Sequence, residues 1–546
     1  MKKHLLFLML LSYQLNTFAQ EDAWVYLKDK QNVVASIANP ISILTQKAID
    51  RKNAHHVLID EKDVPVNENY ISQLKGATGI SVMAKSKWFN AVHVRGSKTD
   101  IDNLITIFSF IDYIDFADKN LNTLKAVQQK NTSKLEKAST IFTYGNAANQ
   151  IEMFNGEELH VTGYTGAGMT VAVIDAGFPN VNTMSSFLRL RNAGNILDDY
   201  DFVNRDSDVY TNTTSNHGTL VLSTMAGYIE NEYVGTAPDA SYYLFITEDG
   251  LSENPVEESY WVEAAERADS LGVDVINTSL GYTTYDDSDY SYTTLNMDGN
   301  TAFITKGANV AFEKGMLLVN SAGNSGSNSW GIVGAPADAP GVFSIGAVQA
   351  NGTYASFSSK GNGTQPTRKP DVVAQGQASY VITENDIITT ANGTSFSSPI
   401  MAGGIVCLWQ ALPDNTNAEI MQLVRESASQ YHSPDYNLGH GIPNLQKALN
   451  SASSIINNND GKNEDLKLLP NPTKGPIYFT LPFSENELSN ENELSVSIFN
   501  ILGKKILETV ITKDTNQVDI SSFSNGVHMV RIQSKNISKT IKLIKY

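Results

Sequence analysis

The sequence predicts an α/β protein. Its main domain is expected to be a mostly parallel sheet with helices on both faces, preceded by a small α+β unit and followed by a small β-sandwich. Three patterns in the 546 residues predict this arrangement. Apolar runs such as MTVAVID and GMLLVNSAG alternate with helical patterns in the middle of the chain, which indicates parallel strands covered on both faces. A strand–helix–strand pattern comes before this region, and closely spaced short strands come after it.

The first residues, MKKHLLFLMLLSYQLNTFAQ, have the features of a secretory signal peptide. Two lysines precede an apolar run from Leu5 to Leu11, and Thr17 and Ala19 close the stretch. The apolar run is too short to span a bilayer. We therefore expect cleavage after Ala19 and export from the cytoplasm.

Two polar stretches separate the three folded regions. DKNLNTLKAVQQKNTSKLEKA follows the first region and SSIINNNDGKNED follows the second, and both have the composition of exposed linkers. The predicted segments are the signal peptide at 1–19, the α+β unit at 20–117, a linker at 118–138, the main α/β domain at 139–452, a second linker at 453–465 and the β-sandwich at 466–546.

Composition restricts the partners and crosslinks of the chain. It has 58 Asp+Glu against 40 Lys+Arg and a formal net charge of −18, which argues against a nucleic-acid partner. Cys407 is the only cysteine, so the chain has no intramolecular disulfide. Because Cys407 lies in the apolar run GGIVCLW, a buried and inert thiol is expected there.

A candidate nucleophile lies in residues 393–404, GTSFSSPIMAGG, where three serines occur within four positions. Ser395 lies at the start of an apolar helical pattern, and Ser397 and Ser398 are expected to pack or cap on other sides of that helix. A serine hydroxyl is a poor nucleophile at neutral pH and needs a base within hydrogen-bond reach. The base must come from elsewhere in the chain.

The main domain contains four of the nine histidines: His160, His217, His432 and His440. His217 is the best candidate for the base because a polar loop runs into NHGT and an apolar helical pattern follows. Asp175 ends the buried strand pattern of MTVAVID, where open α/β sheets gather functional groups. Taken alone, the HGT triplet is weak evidence, because most histidines in loops are surface residues, and Asp175 is equally compatible with a turn or helix cap. The glycines of GYTGAGMTV precede their strand, which argues against a dinucleotide-binding loop.

The three motifs VIDAG, NHGT and GTSFSSP occur in that order, and this combination resembles the subtilase family of serine endopeptidases over about residues 140–450. The resemblance implies an Asp-His-Ser triad that works through an acyl-enzyme, formed by Asp175, His217 and Ser395. It also implies that Asn324, in NSAGNSG, binds the oxyanion. The strand of NTSLG that pairs with substrate would then contain Ser279, Leu280 and Gly281. No cofactor is required for this chemistry. The family permits structural calcium, for which the sequence assigns no ligand set, and no metal site is predicted.

The flanking regions also resemble known families. The α+β unit resembles the inhibitory propeptides of subtilases, and we expect autoprocessing between about Asp118 and Tyr144. LLPNPTKGPIYF, IFNILGKKI and QVDISSFSNGVHMVRI resemble the sorting domains of type IX secretion substrates in certain Gram-negative bacteria, although His528 and Met529 replace the usual aromatic pair. The implied partners are protein or peptide substrates, the chain's own propeptide and the secretion machinery. We expect a monomer without a stable membrane span, exported through the periplasm to the medium or the cell surface.

The sequence leaves some alternatives open. The α+β unit is also compatible with an unrelated accessory domain, and the β-sandwich with a carbohydrate- or surface-binding domain. An α/β-hydrolase would need Ser before Asp before His and a G-x-S-x-G elbow, which Ser395 lacks. A pseudoenzyme would be expected to have at least one damaged motif. Two acidic stretches, TEDGLSENPVEES and TTYDDSDYSYTT, are expected to be a solvated loop and a surface insertion.

Overall fold

The computed structural model describes residues 20–545 except for the following: 56, 122–141, 212, 458–466, 472, 481–493, 501–504, 513–514, 525 and 534–537. The signal peptide predicted at 1–19 lies outside the described residues, as do most of the two predicted linkers.

The N-terminal unit is an antiparallel sheet with the helices α3 and α4 packed on one face. Its elements are β1 (Gln20–Leu27), α1 (Val33–Ala38), α2 (Gln46–Ala54), α3 (Glu68–Lys75), β2 (Ile80–Ser86), β3 (Ala91–Ser97), α4 (Lys98–Ile107) and β4 (Ile111–Phe116). The strand order is β2-β3-β1-β4. The helix α4 begins where the Ser97 side chain accepts a hydrogen bond from the backbone N–H of Asp100.

Side chains alternate along β1 between two separate cores. Ala23 and Val25 pack with the helices of the N-terminal unit. Trp24 points to the other face and belongs to the core of the main domain, where it stacks on Phe303 with ring centroids 4.5 Å apart. Because successive strand residues face opposite sides, one strand serves both cores. The outer face of the N-terminal sheet is therefore seated on the main domain.

The main domain is built on a parallel sheet with the strand order β13-β12-β11-β10-β5-β9-β6. Its elements are α5 (Ala148–Glu152), α6 (Glu157–Val161), β5 (Thr170–Asp175), α7 (Leu188–Asn192), β6 (Ile196–Asp201), α8 (His217–Ala226), β7 (Tyr228–Ile229), β8 (Tyr233–Val234), β9 (Ser241–Ile246), α9 (Val256–Leu271), β10 (Val275–Thr278), α10 (Phe303–Glu313), β11 (Leu317–Ser321), β12 (Val342–Val348), β13 (Val372–Gln375), β14 (Ser379–Ile382), β15 (Ile388–Ala391), α11 (Thr394–Ala411), α12 (Asn417–Ser427) and α13 (Leu445–Asn457).

Helices cover the sheet as predicted. The helices α8 and α11 pack together and against the sheet, and α9 packs with α10. All residues of β5, β10, β11, β12 and β13 are buried, as expected of parallel strands that are covered on both faces. The carboxyl ends of these strands form one edge of the sheet, and the predicted site residues lie along it.

The C-terminal domain consists of two antiparallel sheets. Its strands are β16 (Lys467–Leu469), β17 (Ile477–Thr480), β18 (Leu494–Asn500), β19 (Lys505–Ile511), β20 (Gln517–Val518), β21 (Gly526–Gln533) and β22 (Ser538–Lys545). The orders β16-β17-β20 and β19-β18-β21-β22 define the two sheets, and one hydrophobic core joins them. This agrees with the predicted β-sandwich. None of the helices in the described part of the chain has the length and apolar character needed to cross a bilayer.

Candidate active site

Asp175 is the last residue of β5 and its side chain is fully buried. Its Oδ1 atom accepts a 2.8 Å hydrogen bond from the backbone N–H of Ala176, and it lies 2.7 Å from Nδ1 of His217. A buried carboxylate needs such partners, because desolvating an unpaired charge is costly. Among the described residues, Oδ2 of Asp175 has no hydrogen-bond partner. These contacts favour a role for Asp175 in orienting His217 over the alternative that Asp175 is only a turn or helix-capping residue.

His217 is the first residue of α8, and close backbone packing brings it to Asp175. A Cβ atom on Gly218 would lie 2.5 Å from the carbonyl oxygen of Gly177, so glycine is required where the two loops meet. Burial opposes the charged imidazolium, but the charge of Asp175 and its hydrogen bond outweigh burial and raise the pKa of His217 above the ordinary value of 6.5. The histidine is thus oriented through Nδ1, which leaves Nε2 for another group.

Ser395 is the second residue of α11 and is 9% exposed. The imidazole of His217 lies against the next residue, Phe396, with ring centroids 6.0 Å apart. Among the described residues, the hydroxyl of Ser395 makes no hydrogen bond to His217. It donates instead to the carbonyl oxygen of Ser279 over 3.4 Å, and the Ser279 hydroxyl donates to the carbonyl oxygen of Ser395 over 2.9 Å.

Asn324 follows β11 at the same edge of the sheet, and α11 holds its side-chain amide. Its Oδ1 accepts from the backbone N–H of Thr394 at 2.9 Å and from the Thr394 hydroxyl at 3.1 Å. Because Oδ1 is occupied in this way, Nδ2 is left for a ligand. The Thr394 hydroxyl in turn accepts from the backbone N–H of Gly323 at 3.0 Å. Thr394 was not among the residues singled out from the sequence, although it is adjacent to Ser395 in GTS.

A pocket of about 170 Å³ opens beside these groups. Residues 279–281 form one wall, and Asn324 and Ser395 also line it. Gly323 and Gly334 also line the pocket. The structure thus brings all the predicted substrate-pairing and oxyanion residues to one pocket, next to the predicted nucleophile.

The acidic stretch TEDGLSENPVEES, predicted to be a solvated loop, is buried at its end, whereas the aspartates of the predicted surface insertion TTYDDSDYSYTT are exposed. Glu257 and Glu258 are each only 1% exposed, and burial with the neighbouring Glu248 charge raises the pKa of Glu257 to about 9. The hydroxyls of Tyr285 and Tyr292 donate to Oε1 of Glu258 at 2.5 Å and 2.7 Å. The tyrosines of TTYDDSDYSYTT are therefore packed onto α9. The signal in the sequence that could have indicated this burial is the tyrosine-rich stretch, because its hydroxyls can pair with carboxylates.

Glu248 lies close to the triad residues and is half-buried. It accepts hydrogen bonds from the hydroxyls of Tyr282 and, at 3.0 Å, of Thr247. Burial raises the pKa of Glu248 to about 8. Against the opposing effect of burial, the charge of Glu248 adds to that of Asp175 in raising the pKa of His217.

The other candidate residues have structural environments. Ser397 donates to the carbonyl oxygen of Thr394 at 3.1 Å, and Ser398 donates to Asn277 Oδ1 at 3.1 Å, in agreement with their predicted packing. Cys407 is buried, and burial raises the pKa of its thiol, as expected of an inert cysteine. Burial lowers the pKa of His160 to about 4, and its ring nitrogens contact Tyr144 and the carbonyl oxygen of Thr236, a packed structural environment as predicted.

No group of three or more His, Cys, Asp or Glu side chains in the described ranges is arranged to hold a metal ion.

An aspartate that orients a histidine, beside a serine and an amide donor at the carboxyl edge of a parallel sheet, defines a serine hydrolase. The model of the subtilase family matches residues 166–441, about half of the chain. The chain belongs to the subtilase family. The model of the peptidase S8 propeptide domain of Bacteroidota matches residues 22–136, and that of the secretion system C-terminal sorting domain matches residues 467–546.

Curated relatives agree with this assignment. The chain is 31% identical over 300 residues to subtilisin E of Bacillus subtilis (strain 168), which covers 55% of this chain and 70% of the relative. It is 31% identical over 300 residues to a subtilisin of Bacillus pumilus, with 55% of this chain and 97% of the relative covered. It is 28% identical over 338 residues to a thermostable alkaline protease of Halalkalibacterium halodurans, with 62% and 82% covered.

The protein is therefore a serine endopeptidase that is made as an autoinhibited precursor. The N-terminal unit is its propeptide, and the C-terminal β-sandwich is a sorting domain for secretion or display at the cell surface. These findings confirm the predicted family, fold class and enzyme class. The roles of the individual site residues and the domain boundaries stay predictions.

Proposed function

We propose that Asp175, His217 and Ser395 form the catalytic triad of this endopeptidase, and that Asn324 supplies an oxyanion donor. The observation that carries the proposal is the 2.7 Å contact between Nδ1 of His217 and the buried Asp175 carboxylate. This contact fixes the tautomer in which Nδ1 carries a proton and Nε2 is free to accept one. The imidazole ring lies 6.0 Å from the ring of Phe396, the residue that follows Ser395 at the start of α11.

Catalysis begins when the hydroxyl of Ser395 turns from the Ser279 carbonyl to Nε2 of His217. The proton moves to Nε2 as Oγ attacks the peptide carbonyl carbon. Nδ2 of Asn324 and the backbone N–H of Ser395 then bind the oxyanion, because the first N–H groups of a helix have no intrahelical acceptor. The C–N bond breaks as His217 returns the proton to the leaving amine, which leaves an acyl-enzyme.

Deacylation repeats these steps with water. His217 takes a proton from the water as its oxygen attacks the acyl carbon, and the same proton then returns to Oγ of Ser395 as the ester breaks. Asp175 stabilises the imidazolium in both half-reactions. Every proton transfer therefore uses a protein group or water.

Residues 279–281 are proposed to pair with an extended substrate, and the pocket of about 170 Å³ to accept one substrate side chain. Residues that line the pocket carry no formal charge, which favours an uncharged substrate side chain. We further propose that the enzyme acts as a monomer, and that the linker is cut between Asp118 and Tyr144. Light scattering and N-terminal sequencing of the processed enzyme test these two points.

The triad is tested with Ser395→Ala and the matched variant Ser397→Ala, two residues away on the same helix. We expect Ser395→Ala to remain unprocessed and to lose peptidase activity, whereas Ser397→Ala should process and cleave peptides within a fewfold of wild type. A serine-directed phosphonate should label wild type at Ser395, as read by peptide mass spectrometry. A label on another serine, or equal processing of both variants, would contradict the proposal.

A further inference from the structure

A hairpin of the main domain contacts or joins the chain segments next to all three proposed triad residues. It is formed by the strands β14 and β15, which pair in antiparallel fashion. The turn between them, residues 383–387, is here called the hairpin tip. The second strand runs towards α11, so residues 392–394 connect the hairpin to Ser395.

The hairpin tip holds the start of α8, the helix that begins with His217. Asn216 precedes His217 at the N-cap position, where an asparagine side chain usually accepts a hydrogen bond from the first turn of its helix. In the part of the chain that the structure describes, the Asn216 side chain makes no such capping bond. Its Nδ2 atom donates instead to Oε2 of Glu384 in the hairpin tip at 2.8 Å. The residue next to the proposed base is therefore bonded to the hairpin.

The hairpin also holds α8 further along its length. The backbone N–H of Ile382, the last residue of β14, donates to the hydroxyl of Ser223 on α8 at 2.9 Å, and Ser223 is fully buried. The Glu384 carboxylate is itself restrained, because its Oε1 atom accepts from Nδ2 of Asn385 at 2.8 Å. A helix that is bonded at two points along its length keeps its direction. The position of His217 therefore depends on the hairpin.

The hairpin tip is fixed in turn to the loop between β5 and α7. Asp386 accepts from the backbone N–H and the hydroxyl of Ser185 at 2.7 Å and 3.0 Å, and from the backbone N–H of Ser186 at 3.0 Å. The carbonyl oxygen of Glu384 accepts from Nδ2 of Asn180 in the same loop at 3.0 Å. These bonds attach the tip to the main domain independently of α8, so the tip can support that helix.

The other end of the hairpin is fixed beside the proposed nucleophile. Oδ1 of Asn392 accepts from the backbone N–H of Ala378 at 2.7 Å. The backbone N–H of Gly393 donates to the carbonyl oxygen of Gly376 at 2.8 Å. These bonds fix the chain that enters α11, whereas the hairpin tip fixes the start of α8. One element therefore connects the helix of the proposed base to the helix of the proposed nucleophile.

We propose that Glu384 is a positioning residue, which holds His217 at the correct distance from Ser395. It acts through its hydrogen bond with Asn216. The proposal rests on the proposed function, in which Ser395 gives its proton to His217. The Ser395 hydroxyl bonds to the Ser279 carbonyl in this structure, so transfer requires the imidazole to lie within reach once that hydroxyl turns. Because misplacement of reacting groups by about 1 Å slows a reaction strongly, loss of the Glu384–Asn216 bond slows the chemical step.

The variants Glu384→Ala, Asn216→Ala and the double variant test this, with Glu230→Ala as the matched control. Glu230 is exposed in the turn between β7 and β8, so its variant removes a carboxylate away from the site. On the processed enzymes, a chromogenic peptide measures kcat and KM, and a serine-directed phosphonate measures the rate of labelling of Ser395. We expect each single variant at the bond to lower kcat and labelling about 10-fold, with KM little changed. The double variant should be no slower, because both changes remove the same bond. Glu230→Ala should match wild type.

The conservative variant Glu384→Gln separates position from charge. Glutamine keeps an oxygen that can accept from Asn216, so kcat should return to within about 3-fold of wild type. Burial opposes a raised pKa of His217, but the charges of Asp175 and Glu248 outweigh it. Since Glu384 acts by position, the acidic limb of kcat/KM should lie at the same pH in Glu384→Gln and wild type. A limb displaced to lower pH would show that Glu384 acts through its charge and would refute the positioning role.

Wild-type kcat in both single alanine variants would overturn the proposal and leave the peptidase assignment intact, as would a double variant that is slower by the product of the two single effects. Absence of label on Ser395 in wild type would instead overturn the proposed function. If Glu384→Ala does not fold, Asn216→Ala decides, because Asn216 is exposed and its change removes the same bond from the other side. Linker cleavage about 10-fold slower in that precursor supports the proposal, and cleavage at the wild-type rate refutes it.

Discussion

Thr394 is predicted to position the oxyanion donor, and Thr394→Val is the change that tests this. The side chain of Thr394 is fully buried and its hydroxyl makes two hydrogen bonds. It accepts from the backbone N–H of Gly323 at 3.0 Å and donates to Oδ1 of Asn324 at 3.1 Å. Valine has nearly the same shape, so the change removes these bonds and little else.

The structure sets the size of the effect. The N–H of Gly323 is left buried without its acceptor, which costs about 1–3 kcal/mol of folding free energy. Oδ1 of Asn324 keeps its 2.9 Å bond from the Thr394 backbone, so the amide is held by one bond in place of two. We expect kcat to fall about 10-fold, which corresponds to about 1.4 kcal/mol of transition-state stabilisation, with KM little changed.

Steady-state kinetics on a chromogenic peptide measure kcat and KM, and thermal unfolding of the phosphonate-inactivated enzyme measures stability. Thr394→Ser is the matched control, because it keeps the hydroxyl and should retain kcat within about 3-fold. A Thr394→Val enzyme that melts at a lower temperature but keeps wild-type kcat would refute the positioning role, because it would show that Asn324 needs no hydroxyl to orient it.

Three further predictions concern ionisable groups. His217 must be neutral to act as a base; burial opposes its charge, but Asp175 raises the pKa of His217 above 6.5. We therefore expect kcat/KM to rise with pH through a value above 6.5, and a flat profile from pH 5 to 9 would contradict this. Asp175→Asn should lower kcat about 10⁴-fold, because the tautomer is lost, and should move the remaining acidic limb to lower pH. Asp371 is buried, and the charges of Lys369 and Arg425 outweigh burial and hold the pKa of Asp371 below its usual 3.8. Its stabilisation is present above that value and lost as pH falls through the lower folded pKa, and Asp371→Asn should cost about 3–5 kcal/mol in unfolding experiments.

The fold class followed from the alternation of strand and helix patterns, and the candidate site residues followed from three ordered motifs that resemble those of the subtilases. Each candidate lies in a local pattern of its own. Asp175 ends an apolar strand, His217 begins a helix and Ser395 begins another. The carboxyl ends of parallel strands lie at one edge of the sheet, so residues that follow these strands are brought close together. The orientation of the Ser395 hydroxyl towards Ser279 could not be predicted, because it depends on distances of a few tenths of an ångström between separate loops.

The main difference between the sequence predictions and the structure is the burial of charged side chains. The α9 sequence VEESYWVEAAERADSL looks like that of a solvated acidic helix, yet Asp269 and Glu258 are buried on it. Their partners come from Lys52 in the propeptide and from the tyrosine-rich insertion, far away in the chain. Local patterns report periodicity and composition, and they carry no information on which distant segment covers a helix.

The hydrogen bond from Ser395 to the Ser279 carbonyl has a consequence for how a peptide switches the enzyme on. Ser279 directly follows β10 and lines the pocket, where an incoming chain would add by backbone pairing. An arriving N–H would compete for the acceptor that now restrains the serine. The displaced hydroxyl would then be free to turn towards the imidazole. Docking of the peptide would thus itself free the Ser395 hydroxyl for its role as nucleophile.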